Sequence, residues 1–101
     1  MKRVVITGMG AITPLGNTVS EFWENCVAGK SGAAALTKFD TSKFKTRFGC
    51  EVKDFKPETF IDKKELRKYD LFTQYAIAAT DEAIKNSGLD FNAMSQAQRA
   101  E

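Results

Sequence analysis

With 101 residues, 43% of them hydrophobic and 28% charged, and a formal net charge of +2, the chain has the make-up of an ordinary globular domain. So small a charge gives no reason to expect nucleic acid as a partner, and no apolar run nears the roughly 20 residues that cross a bilayer. There is no histidine, and the two cysteines, Cys26 and Cys50, lie far apart, which excludes Ser-His-Asp and Cys-His catalysis and a zinc site within these residues.

The first element is Val4-Val5-Ile6-Thr7, a β-branched run predicted to be a strand buried on both faces. Met1-Lys2-Arg3 ahead of it has the charge of a signal peptide. Thr7, Gly8, Gly10 and Pro14 break the apolar stretch at once, so the expected location is cytoplasmic. Two cysteines, where a small secreted domain usually carries a fuller disulfide framework, agree with that. Gly8-Met9-Gly10 and Thr13-Pro14-Leu15-Gly16 then make a turn-rich connection. Thr18 and Glu21 have capping-box spacing and open a helix whose apolar stripe is Val19, Phe22, Trp23, Cys26 and Val27. Gly29 stands where a left-handed cap ends it. Strand, glycine loop and amphipathic helix in that order mark an α/β fold.

Residues 30–57 have poor periodicity and are predicted to be a loop-rich excursion. Within it Phe48, Cys50 and Val52 alternate with Arg47, Gly49 and Glu51 as a short strand with one buried face. Asp62 is expected to open a helical segment over 63–68, and Asp70 to cap or begin a longer helix. Phe72, Tyr75, Ala76, Ala79, Ala83 and Ile84 form its broad face, whose alanines allow close approach of a neighbour. Asn86-Ser87-Gly88 stops it, and Lys85 suits the negative end of the helix dipole. Residues 89–101 carry no strong signal.

These blocks in order resemble the bacterial β-ketoacyl-acyl-carrier-protein synthases, most closely the type II condensing enzymes. The likeness runs through Val4 to Asn17, Phe22-Trp23, Ala28-Gly29-Lys30-Ser31-Gly32, Phe39-Asp40-Thr41-Ser42 and Val52-Lys53-Asp54-Phe55. It continues through Lys63-Lys64-Glu65-Leu66-Arg67-Lys68-Tyr69-Asp70 and closes on the helix from Phe72 to Gly88. The resemblance implies a thiolase-type α/β fold, of which residues 1–101 would be an incomplete amino-terminal half of the αβαβα architecture. It implies a cytoplasmic homodimer that needs no cofactor and joins an acyl thioester to malonyl-acyl-carrier protein with loss of CO2. The family's cysteine, two histidines and lysine would all lie beyond Glu101, so no catalytic residue is expected here. With the neighbours of the first strand also missing, the isolated piece is expected to fold poorly, to aggregate or to depend on other chains.

Three further features bear on function. Lys64, Arg67 and Lys68, spaced to share a helix face with Lys63 beside them, read by spacing alone as a solvated charged face. With the resemblance they become the expected docking site for acyl carrier protein, an acidic partner. A short, non-catalytic carrier-binding module is the alternative reading of the same residues. The glycine loop fails the dinucleotide fingerprint, because Thr13 stands at the last glycine position, Pro14 intrudes and Gly16 comes too late. Cys26 and Cys50 read as small hydrophobes facing the core, not nucleophiles, and Phe22, Trp23, Phe72 and Tyr75 as packing residues, the last two also candidates to face a dimer partner.

Overall fold

The computed structural model describes residues 1–100; Glu101 lies outside the described residues. Residues 1–12 contain no regular element, and the predicted strand at 4–7 does not form. Val4, Val5 and Ile6 are 94%, 65% and 84% exposed, the reverse of the burial expected for them. The physical reason is that a strand exists only through its ladder, and no described segment pairs with this one.

Regular structure begins after residues 1–12. Thr13 and Gly16 form an isolated antiparallel bridge around Pro14-Leu15, with Thr13 N–H donating to Gly16 O at 2.9 Å and Gly16 N–H to Thr13 O at 3.2 Å. Helix α1 (Val19–Val27) starts at Thr18, whose Oγ accepts from the Glu21 amide at 3.1 Å. It closes as a Schellman cap: Gly29 has φ +72°, and the Lys30 amide reaches back to Asn25 O at 3.0 Å. Both helix ends were legible from sequence.

Strand β1 (Ala33–Ala35) pairs antiparallel with β2 (Phe48–Cys50), Ala34 opposite Gly49. This hairpin is the only sheet among the described residues. Phe48 and Cys50 are exposed and Gly49 is half-buried, so the inward-facing assignment of Phe48 and Cys50 is corrected: nothing described covers that face. A 3-10 turn (Pro57–Thr59) leads through Ile61 to the single turn α2 (Lys63–Leu66), shorter than the predicted 63–68. Helix α3 (Leu71–Ser87) and α4 (Gln96–Ala100) complete the chain. Asp70 occupies the α3 N-cap position but its side chain makes no capping bond. The α4 turn was not anticipated. Its signal was Ser95 and Gln98, which form a reciprocal capping box with bonds of 3.2 and 2.9 Å.

The tightest packing lies where the glycine loop crosses α3. A Cβ on Gly10 would collide with the Ala79 carbonyl, and one on Gly8 with the Ala83 carbonyl. The loop therefore rests on the helix backbone itself, between alanines too small to hold it away. Three amides are then taken up by α3 side chains. Met9 N–H donates to Asn86 Oδ1 (3.1 Å), and the Ala11 and Val19 amides both donate to Glu82 Oε1 (3.2 and 2.9 Å). The alanine face does admit a close neighbour, as predicted. Gly8 and Gly10 serve this contact.

Little else is enclosed. The buried hydrophobic residues are Ile61 and Ala78. Trp23 and Phe72 are 62% and 72% exposed, so no described residue covers them as a core would. Tyr75 is half-buried and meets Phe55 edge-on with centroids 4.9 Å apart. The accessible surface is 8445 Å². A compact monomer of 11.2 kDa exposes about 5,700 Å². The excess belongs to an open chain that leaves large apolar side chains uncovered, Val4, Ile6, Trp23 and Phe72 among them.

Candidate functional site

The cationic segment is held in place from below. Ile61, buried immediately ahead of it, is the anchor. Phe55 stacks on Phe60 with ring centroids 6.3 Å apart, and its other edge meets Tyr75 of α3. Asp62 then caps α2, its carboxylate accepting from the Lys64 amide at 3.3 Å. The helix lasts one turn because Arg67 is already its C-cap, and the Lys68 amide bonds to Glu65 O in a tighter turn.

That early stop redistributes the expected cluster. Lys63, Lys64 and Arg67 together line a shallow open concavity of about 380 Å³ with no acidic residue in its wall. Lys68 points elsewhere and pairs with Glu65, Nζ to Oε2 3.1 Å. The structure thus brings Lys64 and Arg67 together with Lys63 and sets Lys68 apart. Among the described residues the ion pairs within 4.0 Å are Lys68–Glu65 and Lys85–Asp81, so the three cations of the concavity have no carboxylate partner. Unneutralised and solvent-facing, they favour an anionic group on a partner surface, with a strength that falls as salt rises. They offer no proton acceptor and no nucleophile.

The other candidates carry no chemistry of their own. Cys26 and Cys50 are free and exposed, which corrects their placement in the core. Cys26 lies in the last turn of α1 and Cys50 at the end of β2, neither at a helix amino terminus where a thiolate is stabilised. The amino end of α1 is likewise closed to an anion, because its first amide already donates to the Glu82 carboxylate. No helix among the described residues is long and apolar enough to cross a membrane.

Comparison with known proteins identifies the family. The family described as Beta-ketoacyl synthase, N-terminal domain, matches residues 1–100. The 3-oxoacyl-acyl-carrier-protein synthase 2 of Coxiella burnetii is 47% identical over 91 residues, covering 90% of this chain and 22% of that protein. Its counterpart from Vibrio cholerae is 50% identical over 91 residues, with the same coverage of 90% and 22%. Among solved structures, the ishigamide ketosynthase/chain length factor superposes with a TM-score of 0.84 at 38% identity, over 93% of this chain and 23% of that one. A type II PKS acyl-carrier protein in complex with its ketosynthase, bound to the hexaketide, gives 0.68 at 33% identity, over 93% and 24%. The chain therefore spans less than a quarter of the length of the relatives it matches. The local architecture is that of a thiolase-type ketoacyl synthase, and the chain belongs to the β-ketoacyl synthase family, matching its amino-terminal domain.

Proposed function

We propose that these residues are the amino-terminal part of a condensing enzyme that joins an acyl thioester to malonyl-acyl-carrier protein with loss of CO2. Within it they supply scaffold and a carrier-docking surface. The reaction needs a thiolate to hold the acyl group and donors to stabilise the developing oxyanion. A segment without histidine, whose two thiols sit away from any activating helix end, does not supply those roles; the family resemblance implies that a cysteine, two histidines and a lysine elsewhere in the complete enzyme fill them. The complete enzyme is proposed to be a cytoplasmic homodimer acting without a cofactor.

The observation that carries the docking role is the unneutralised concavity of Lys63, Lys64 and Arg67, suited to the acidic surface of a carrier protein. Lys68, expected beside them, is assigned a lesser part because Glu65 already neutralises it. The test is the double variant Lys64→Glu, Arg67→Glu in the complete enzyme. KM for carrier-bound substrate should rise roughly tenfold or more at low salt, with kcat little altered and the salt dependence reduced. Unchanged kinetics with carrier-bound substrate would remove the docking role.

A further inference from the structure

Away from the cationic segment, three stretches of chain meet at one ammonium group. Lys53 Nζ donates to Gly32 O at 3.1 Å, to Glu51 O at 3.3 Å and to Pro14 O at 3.4 Å. Those oxygens belong to the glycine loop, to the residue just before β1 and to the residue just after β2. From the other side Asn17 Nδ2 donates to Lys53 O at 2.8 Å. The approach is close enough that a Cβ on Gly32 would lie 2.9 Å from Pro14 Cβ. The surroundings are rich in oxygen and short of donors: Asn17 Oδ1 and Glu51 Oε2 are buried without a hydrogen-bond partner. Beside the ammonium is a cavity of about 120 Å³ whose lining includes Glu21 and Asp54.

We propose that the carbonyl oxygens of Pro14, Gly32 and Glu51 form an alkylammonium site, which the chain's own Lys53 fills to clamp the hairpin onto the glycine loop. An ammonium ion carries three donors and no acceptor, and here it meets three carbonyl acceptors. A guanidinium is planar and spreads its donors in a fork, so arginine does not fit a three-point cradle of this kind. Bonds to a charged donor are stronger than neutral ones, which lets one exposed side chain hold the hairpin where little apolar surface does so. The proposal is independent of carrier docking and of the condensing reaction.

The experiment measures hydrogen exchange of the hairpin amides in the complete protein, for example Leu36, whose N–H donates to Arg47 O at 3.0 Å. Lys53→Ala should speed their exchange roughly tenfold, and added propylammonium should restore protection while 1-propanol at the same concentration should not. Lys53→Met keeps an apolar stem without the charge and should lose protection as Ala does. Parent-like exchange in Lys53→Met, or equal effects of propylammonium and propanol on Lys53→Ala, would overturn the site. So would failure of Lys53→Met to fold, which exceeds what an exposed clamp contributes.

Discussion

The glycine loop on α3 and the hairpin excursion hold their shape by opposite means. Residues 8–11 lie on the helix so closely that backbone meets backbone, and Glu82 and Asn86 take up the amides this leaves. Residues 33–50 touch little apolar surface and are tethered by polar side chains reaching main-chain atoms: Lys53, Arg47 to Phe44 O and Ser42 O, and Glu51 to the Thr37 amide. The first arrangement fails abruptly, since a steric clash cannot be shared out. The second should weaken by degrees, because each tether is solvent-exposed and replaceable by water.

The sharpest way to break the contrast is Gly10→Ala. Its methyl group would strike the Ala79 carbonyl, and the complete protein should lose about 3 kcal/mol in denaturant unfolding, since backbone on both sides must shift. A loss no larger than an ordinary surface substitution would mean that the loop can lift off α3 freely. Next comes Glu82→Ala, which strands the Ala11 and Val19 amides and should cost about 2 kcal/mol. Glu82→Gln keeps an acceptor and should cost visibly less; equal losses from the two would show that acceptance at Oε1 is not what matters. Thr18→Ala removes the α1 cap and should cost about 1 kcal/mol by the same assay.

The smallest effect belongs to the hairpin and depends on pH. The Thr37 backbone N–H holds the Glu51 carboxyl below its ordinary pKa, and the Ser42 backbone N–H does the same for Asp40. A depressed carboxyl contributes stability above its unfolded-state pKa and loses it as pH falls through the lower folded value. Exchange protection of the hairpin should therefore decline on acidification through and below the ordinary carboxylate range, and Glu51→Gln should flatten that decline. A pH profile identical in the variant would remove Glu51 from the tether.

What could be read from the sequence alone were features whose cause is local. Thr18 caps α1 because its hydroxyl reaches an amide three residues on, and Gly29 ends the helix because a residue without Cβ accepts positive φ. Asp62 opens α2 for the same kind of reason, and the absence of histidine bounds the chemistry wherever the chain goes. The ordered motifs carried the family. Tertiary structure decided whatever depends on a distant partner. Val4, Val5 and Ile6 have the composition of a buried strand, yet burial and pairing require a neighbouring segment that no property of the run supplies. The one-turn length of α2 divided a basic cluster that spacing had placed on one face, giving Lys68 to Glu65 and leaving Lys63, Lys64 and Arg67 together. Lys53, one lysine among the chain's 15 basic residues, became distinctive only when folding gathered three carbonyl oxygens around it.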